Sequence, residues 1–364
     1  MGLIRMLTRA DPDPEPAPDG EGEEALDASL RAALSQVRMD RDAALGVPAM
    51  AAAAEFTAGI VSALPVRLFR REGEGVVELS DDVRCALLNG DSGDELTGPE
   101  IMKAFTLDYL LGKGGYAYVN RRGNEVASIH YVDCRAVGIE RVSGSHIMKE
   151  SRILVDGASY YPWQFIHASR STRDGVTGLS LVEQSCELLR TASATMAHEQ
   201  AAVRRGGNRR GFLQSDQKLT QEAIKSLKTA FARMFQRDGE NFVVLNRGVS
   251  FQEASETSVE MQLAENKQAN SDDIMSLLLI PPGLIRGGAD EDDRDNHTRY
   301  SIMPMLRVFE AALDRALLLE SEKGSHFFRF DLKEYSKANM RTRWAAWANA
   351  KKNGLVDIDE FRRE

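Results

Sequence analysis

The sequence predicts an α+β fold in which a mixed N-terminal unit is followed by several long helices. Three observations support this class. Short alternating segments typical of strands are concentrated before about residue 170,. Apolar residues then recur every seven positions, and a further amphipathic run follows a pair of prolines,. The length of 364 residues is enough for about two or three structural units,.

The N-terminal segment 1–44 is predicted to be a flexible arm. Residues 10–25 mix Asp, Glu, Pro and Gly with almost no apolar side chains, so they cannot bury enough surface to offset the entropy of ordering,. Its prolines also forbid the turn of a calcium loop. The structured chain is expected from Val47, where a helix ended by Pro65 is indicated by apolar residues at helical spacing: Ala53, Phe56, Ile60 and Leu64,.

Strands and one capped helix are predicted for the rest of the mixed unit. Residues 66–79 indicate a β-hairpin that turns at a glycine-rich stretch,. Thr97 and Glu100 match a capping box and predict a helix start,. The remaining segments are interpreted as strands, at 114–120, at 127–133 and within 151–169,.

Long helices are predicted for most of the remaining chain. A helix over 178–206 is indicated by apolar residues every seven positions with small residues between them: Val182, Leu189, Met196 and Val203,. A compact β-α-β insert is expected next, with a strand at 211–215, a helix at 220–237 and a hairpin at 242–252. Further elements follow: a helix over 258–281 stopped by Pro281–Pro282, a helix over 300–324, a strand near 326–332 and a final helix carrying Trp344 and Trp347,.

Composition excludes several classes of protein. No apolar stretch reaches the roughly 18 residues that a membrane span needs, and the N-terminus lacks the long apolar region of a signal peptide,. Cys85, Cys134 and Cys186 are far apart, which favours reduced thiols and argues against a zinc site,. The net charge of −9 argues against static wrapping of nucleic acid, although it leaves room for a local basic patch,.

No catalytic motif is found, so the chain is predicted not to be an enzyme and to need no cofactor or metal. The six histidines are scattered, without an HExxH pattern or a Cys/His cluster at ligand spacing,. Ser180 lacks the second glycine of a nucleophile elbow,. Lys113 lies among glycines but is not followed by Ser or Thr as in a phosphate-binding loop,.

Two charged segments are candidate sites. The first follows the paired prolines and holds five acids, Asp290, Glu291, Asp292, Asp293 and Asp295. It is open to interpretation as a metal site, a surface that avoids phosphate or a solvated loop; a regular calcium loop would need Gly and Glu where Asp295 and Ser301 stand,. The second is basic and ends the helix over 178–206, where cations either complement the helix dipole or form a docking surface: Arg204, Arg205, Arg209 and Arg210,.

The order of these elements resembles that of the portal proteins of tailed phages of the HK97 type. The likeness covers about residues 45–360 and rests on five stretches in the same order: "AAEFTAGIVSALPVRLFRR", "LLGKGGYAYVNR", "DGVTGLSLVEQ", "LLLIPPGLIRGG" and "IMPMLRVFEAALDRALL". The resemblance implies a portal fold with an α+β wing, long stem helices, a small β-α-β clip and a long helix that spans the wing. It also implies a dodecameric ring at one capsid vertex, through which double-stranded DNA is packaged and ejected.

The resemblance assigns each part of the chain. After the arm come the wing at 45–177, stem helix 1 at 178–206, the clip at 207–257, stem helix 2 at 258–281, the tunnel loop at 282–299, the wing helix at 300–324 and a crown base, expected to be shortened, at 325–364. Partners implied for such a ring are the large terminase, a head–tail adaptor and the capsid or scaffold protein, in the virion and, during assembly, in the host cytoplasm. Clip docking is expected to involve the basic cluster and the lysines of the clip: Lys218, Lys225 and Lys228.

The tunnel loop is expected to face DNA with five acids against Arg294 in each subunit. Like charges about a nanometre apart still interact at cellular salt. Our hypothesis is therefore that the loop repels phosphate and keeps DNA from adhering to the channel. Weak contacts at its edges are expected from Arg286, His297 and Arg299. The main alternative is a structural component with the same fold in a domesticated prophage or gene-transfer-agent particle. A nuclease or ATPase would need clustered acids on regular structure or a Walker loop.

Overall fold

The computed structural model describes residues 39–73, 75–142, 145, 147–204, 211–215, 220–222, 224–225, 229, 249–253, 257–336 and 352. Its helices are α1 (Arg41–Leu45), α2 (Pro48–Ala63), α3 (Val83–Asn89), α4 (Gly98–Leu111), α5 (Leu181–Gln184), α6 (Cys186–Arg204), α7 (Thr257–Leu277), α8 (Pro282–Arg286), α9 (Glu291–His297), α10 (Met303–Leu317) and α11 (Lys333–Ser336). Its strands are β1 (Val66–Glu72), β2 (Gly75–Glu78), β3 (Gly115–Arg122), β4 (Glu125–Tyr131), β5 (Val137–Arg141), β6 (Ser151–Val155), β7 (Ala158–Tyr160), β8 (Phe165–Ala168), β9 (Gly211–Ser215), β10 (Val249–Glu253) and β11 (His326–Phe330).

The main core forms where α2, α4 and α10 pack against the sheets. Phe309 of α10 is 1% exposed, and its ring meets Phe105 and Tyr109 edge-on at centroid distances of 5.1 and 4.9 Å. Such aromatic pairs add to the stabilisation that comes from burial of apolar area. We call this unit, from α1 to β8 together with α10 and β11, the body.

Three small antiparallel sheets lie in the body. Their strand orders are β11-β1-β2, β4-β3-β8 and β5-β6-β7. The predicted hairpin, the paired strands β3 and β4 and the short strands after residue 150 are confirmed. Strand β11 lies in the segment 325–364, which the resemblance assigns to a crown base. Its residues pair with β1, with Val66 opposite Phe330, so β11 belongs to a sheet of the body.

The outer edge of β11 is covered by carboxylates of α10. The backbone N–H of Phe328 donates to Asp314 at 2.7 Å, and that of Phe330 donates to Glu310 at 3.2 Å. Arg329 and Arg307 lie 3.2 and 3.3 Å from the Glu310 carboxylate, although burial still raises the pKa of Glu310. These acids therefore satisfy donors that an edge strand otherwise presents to solvent.

The structured chain starts before the predicted boundary at 44. Helix α1 begins at Arg41, capped by the side chain of Asp40, and Ala44 is fully buried. The Arg41 guanidinium donates to the buried carboxylate of Asp108, which also accepts from the Tyr131 hydroxyl at 2.7 Å. The predicted flexible arm 1–44 is therefore too long by several residues, because an ion pair fixes α1 on the body. Residues 1–38 lie outside the described residues.

The two predicted stem helices are confirmed, and one of them is interrupted. Ser185 separates α5 from α6 with φ −116° and ψ 27°, so helix 178–206 consists of a short and a long piece. Val182 and Leu189 are buried as the seven-residue spacing predicts. Helix α7 packs along α6, and Lys267 pairs with Glu199 at 2.7 Å. We call α5, α6 and α7 the stem.

The clip is only partly described. Strands β9 and β10 pair antiparallel, with Val249 opposite Ser215, which confirms the predicted strand at 211–215. Most of the predicted helix 220–237 and of the hairpin 242–252 lies outside the described residues, as do Trp344 and Trp347. Among the described residues, no helix is both long and apolar enough to cross a membrane.

Candidate functional site

The candidate site is the acidic segment, which begins where α7 ends. The last turn of α7 closes with a hydrogen bond from the Ile280 N–H to the Met275 carbonyl at 3.0 Å. Leu279 adopts φ +53° to make this turn, a left-handed conformation that costs a non-glycine residue roughly 1–2 kcal/mol,. Pro281–Pro282 then prevents the helix from continuing, as predicted,.

The segment 282–299 was predicted to be a loop, and it is instead largely helical. Helix α8 starts at Pro282 and α9 starts after Asp290, with only four residues between the two helices. Gly287 and Gly288 have φ of +89° and +91°, a region that glycine adopts without strain,. A π-helical turn, Thr298–Ile302, joins α9 directly to α10, so the predicted helix 300–324 is regular α-helix only over Met303–Leu317.

The position of the acids explains why this segment is helical. The Asp290 carboxylate accepts from the N–H of Asp293 at 2.8 Å and caps α9,. Glu291, Asp292 and Asp293 fill the first turn, where negative charge is stabilised by the helix dipole,. The run of acids therefore has a local structural role in addition to its charge.

Three side-chain contacts hold this segment on the end of α7. His297 Nδ1 donates to the Leu279 carbonyl at 3.0 Å, and Ser301 Oγ donates to the Leu278 carbonyl at 2.7 Å. Arg286 Nη2 lies 2.7 Å from Asp272 Oδ1. We call these three contacts the stem clamp, because two of them satisfy carbonyls at the end of the stem, the third is an ion pair, and together they fix the direction of the acidic helix,.

Two of the predicted site residues belong to the stem clamp. His297 is 1% exposed, so it is a buried part of the stem clamp and not an edge contact for DNA. Burial lowers the pKa of His297, and its ring lies 5.8 Å from that of Phe56. Its Nε2 has no hydrogen-bond partner among the residues that the structure describes. Arg286 pairs with Asp272 in the stem clamp while its side chain remains exposed, so its contact with DNA stays a prediction.

The other residues of the predicted tunnel loop lie on the surface. Asp293 is half-buried, and the exposed ones are Asp290, Glu291, Asp292, Asp295 and Arg299. The structure places the five acids at the start of one short helix and not on a loop. Among the described residues, the group with three ligand atoms within 4.8 Å of one another is Asp108, Asp133 and Cys134, so the acids of α9 do not converge on one point as the acids of a nuclease site would. Nothing in the sequence alone indicated that a histidine in so polar a run would be buried.

The predicted basic docking residues are described only in part. Arg204 is the last residue of α6, and Lys225 is exposed in a helical turn of the clip. The remaining ones lie outside the described residues: Arg205, Arg209, Arg210, Lys218 and Lys228.

The turn that precedes the stem is a compact structural element. The Asp174 carboxylate accepts from the N–H groups of Val176 and Thr177 at 2.9 and 2.7 Å, and these bonds hold its pKa well below the ordinary value. A Cβ at Gly178 would overlap the carbonyl oxygen of Lys113, so only glycine fits,. Ser180 then caps α5 by accepting from the Glu183 N–H at 3.0 Å,. The "DGVTG" stretch thus sets where the stem starts.

An aligned Asp–His–Ser group in the body was not predicted. His130 Nε2 lies 2.8 Å from Ser128 Oγ, and His130 Nδ1 lies 3.4 Å from Asp94 Oδ1. Ser128 is 8% exposed, its Oγ already accepts from the Asn120 amide at 3.0 Å, and its Cβ packs against Gly93. A nucleophile needs access to its substrate, so this group is better explained as a hydrogen-bonded network that joins β3 and β4 to the turn at Asp94.

A second group has the composition of a metal site. Asp108, Asp133 and Cys134 bring three ligand atoms within 4.8 Å of one another. The Arg41 guanidinium already lies against the buried Asp108 carboxylate, and burial raises the pKa of the Cys134 thiol to about 11. A thiol that resists ionisation beside a resident cation fits a metal poorly.

Comparison with known proteins identifies relatives over nearly the whole chain. A sequence model of the family described as "Phage portal protein" matches residues 48–364. The chain is 20% identical over 339 residues to the probable portal protein of Streptomyces phage phiC31, covering 88% of this chain and 74% of that protein.

Solved structures share the fold. An HK97-family phage portal protein from Corynebacterium diphtheriae superposes with a TM-score of 0.57 at 16% identity, covering 81% of this chain and 96% of that one. A chain from the virion of a native gene transfer agent particle superposes with a TM-score of 0.61 at 18% identity, covering 90% and 93%. The α+β fold with long stem helices is therefore a portal fold.

Proposed function

This chain belongs to the phage portal protein family, and from that premise we propose that its copies join side by side into a ring around a channel for double-stranded DNA. The ring occupies one vertex of a capsid, where DNA enters during packaging and leaves at ejection. Its role is structural and not catalytic. A dodecamer is the number we propose, and it is consistent with a structural neighbour described as the neck of a native gene transfer agent particle with C12 symmetry.

The observation that carries this proposal is the incomplete burial of the stem. In α7, residues 265–269 are exposed, and complete burial begins only at Ile274, close to the body. Among the α7 side chains that the structure describes, none is buried before Ile274. Such helices are stabilised when neighbouring copies pack along them, as heterologous contacts in a closed ring do.

The acidic helix α9 is our candidate for the channel lining. The stem clamp fixes α9 beside the end of α7, and its exposed carboxylates point away from the core. Repeated around a ring, these charges face a phosphate backbone at distances comparable to the Debye length of about 8 Å. We propose that they repel DNA and limit adhesion, while Arg299 supplies transient contacts.

Electron microscopy of the purified chain tests the assembly directly. We expect rings with an axial hole and with α9 at its rim. A monodisperse monomer at high concentration, or a ring in which α9 faces outward, contradicts the proposal.

Duplex retention by purified rings tests the role of the acids. Glu291→Gln/Asp292→Asn/Asp295→Asn leaves the Asp290 cap in place and should increase the DNA retained at low salt several-fold. The control, Asp81→Asn/Glu95→Gln/Glu125→Gln, removes three exposed acids of the body and should leave retention unchanged. Equal retention by both variants would exclude electrostatic repulsion by α9.

We further propose that the clip binds the large terminase and, later, the head–tail adaptor, and that the body contacts the capsid or scaffold protein. The exposed position of Lys225 and the basic residues that end α6 support a surface for acidic partners,. Assembly would take place in the host cytoplasm and the product would reside in the virion. Pull-down by a clip variant, Lys225→Glu, should lose the terminase but retain ring formation.

A gene-transfer-agent particle is the second candidate setting for the same ring. Two neighbours from such particles superpose over most of this chain, with TM-scores of 0.61 and 0.60. Sequencing of DNA protected inside particles separates the two settings. One uniform genome indicates a phage, whereas fragments of the host chromosome indicate a gene transfer agent.

A further inference from the structure

A row of alternating cations and aromatic rings lies on the surface of the body. The Arg152 guanidinium lies 3.5 Å from the centre of the Tyr161 ring, and Tyr161 stacks on Trp163 with centroids 5.9 Å apart and planes 23° apart. Arg121 then lies 5.9 Å from the centre of the Trp163 ring. Tyr161 and Trp163 remain 45% and 51% exposed, so both rings offer open surface. We call these four residues the arginine–aromatic row.

Neither arginine of the row is neutralised within the described part of the chain. Arg152 has Glu140 opposite it in the β5–β6 register but lies against Tyr161 and forms no ion pair within 4.0 Å. Arg121 donates to the Ala316 carbonyl, while its buried Nε has no partner. Burial and the nearby Arg84 lower the pKa of Arg121, which shows that its charge is poorly compensated.

The ligand that fits this row best is a peptide segment that combines acidic side chains with prolines. Arginines attract carboxylates, and proline-rich segments dock on exposed aromatic side chains because their extended conformation is already restricted. Residues 11–19 of this chain, "DPDPEPAPD", alternate acids with prolines and contain no basic residue. The prolines stand at every second position, and two residues of polyproline II helix, at about 3.1 Å per residue, span about the 5.9 Å between the two ring centres,.

The attachment point of this segment is connected to the row through one sheet of the body. Helix α1 is fixed by Arg41, 3.9 Å from Asp133, and by Asp42, 3.1 Å from Arg135. These partners directly precede β5, which pairs with the strand that carries Arg152. About 20 residues separate Asp19 from Asp40, and an extended chain of that length spans several tens of ångströms, so the segment can reach the row,.

We propose that residues 11–19 bind the arginine–aromatic row, with their carboxylates at Arg152 and Arg121 and their prolines on Tyr161 and Trp163. The N-terminal segment then covers this part of the body. The contact is electrostatic and weakens as salt rises.

Zero-length cross-linking of the full-length chain tests the contact. Arg152→Lys keeps the charge and provides an amine that a carbodiimide couples to a neighbouring carboxylate. Mass spectrometry should find Lys at this position joined to Asp11, Asp13 or Glu15. The control, Arg71→Lys, alters another arginine that lies over a ring, 5.4 Å from Phe327, and should give no link to residues 11–19. Links from both variants alike, or from neither, overturn the proposal.

Trp163 fluorescence gives a second readout in a Trp344→Phe/Trp347→Phe background. Asp11→Asn/Asp13→Asn/Glu15→Gln should increase acrylamide quenching about twofold, and 0.5 M salt should do the same to the parent chain. The control Glu21→Gln/Glu23→Gln/Glu24→Gln should have no effect. If the acid variant is unchanged, or if a short oligo-dT protects Trp163 equally with and without Asp11, Asp13 and Glu15, the row serves another ligand and the proposal fails.

Discussion

The body and the stem use the same secondary structure but differ in what covers their apolar residues. In the body, α10 buries Leu306, Phe309 and Leu313 against the sheets and neighbouring helices of the same chain. In the stem, α7 is exposed over 265–269 and joins the core only at Ile274. The apolar residues of the body are therefore covered within one chain, whereas neighbouring copies cover the outer stem in the ring that we propose.

This difference separates two kinds of stability. Unfolding of the body exposes a large apolar core and should be cooperative, since its helices and sheets share that core. Opening of the stem exposes little apolar surface in one isolated chain, so it should occur at a lower free energy and locally. The predictions below test this separation.

The largest effect is expected from Phe309→Ala in the body. The substitution removes two edge-on aromatic contacts and leaves a cavity, so the free energy of unfolding should fall by about 3–5 kcal/mol in denaturant titrations,. Val308→Ala on the exposed side of the same helix should cost less than about 1 kcal/mol,. If both variants lose the same stability, the core is not where we place it.

Gly178→Ala tests the junction between body and stem. A Cβ there would overlap the Lys113 carbonyl, and we expect a loss of about 2–3 kcal/mol,. Gly59→Ala, inside α2 with open space around it, should instead stabilise by about 0.5–1 kcal/mol,. Thermal melts of the two variants should shift in opposite directions, and a common direction would contradict the packing at Gly178.

Acidification should weaken both regions through two histidines, His167, which is half-buried, and His297, which is buried. Burial lowers the pKa of His167 to about 4, and burial also lowers the pKa of His297. The unfolded chain therefore takes up protons first, so the stability contribution is complete above about pH 6.5 and is lost as pH falls towards 4. For His167 the loss between pH 7 and pH 5 is about 1–2 kcal/mol. His167→Phe should flatten this dependence in denaturant titrations, and an unchanged slope would show that His167 does not titrate as its burial implies.

The smallest effect is expected from Ser301→Ala in the stem clamp. Loss of the bond to the Leu278 carbonyl should lower the free energy of local opening at the end of α7 by about 1 kcal/mol, measured by hydrogen exchange of the Leu279 and Ile280 amides,. Global unfolding should hardly change. Ser276→Ala, which removes a bond to the helix's own Asp272 carbonyl, serves as the control. Comparable changes in both variants would show that the clamp does not hold the stem.

Local signals in the sequence predicted much of the fold. Pro65 ends α2, Thr97 starts α4 and the spacing of Val182 and Leu189 gives the buried face of the stem, because each depends on neighbouring residues only. The pairing of β11 with β1 could not be foreseen, since it joins segments more than 250 positions apart that carry no matching motif.

The candidate site was predicted less well than the fold. Its acids were located correctly, but Asp290 followed by three further acids is also the pattern of a helix start, a signal that our loop interpretation did not use,. His297 was expected to make weak contacts with DNA at the edge of the tunnel loop, but it is buried. Its burial depends on Phe56, which is distant in the sequence. It also depends on the left-handed turn at Leu279, a conformation that leucine rarely adopts.

The carboxylates of Asp314 and Glu310 along β11 restrict how copies of this chain can associate. A component present in many copies at one place risks polymerising by the addition of strand to strand, which has no natural end point. Because helix α10 occupies the N–H groups of Phe328 and Phe330, that route is closed on this flank. In the ring that we propose, neighbouring copies would then meet through their side chains on this flank, and side-chain packing, unlike a backbone ladder, can set an angle between subunits and so limit their number.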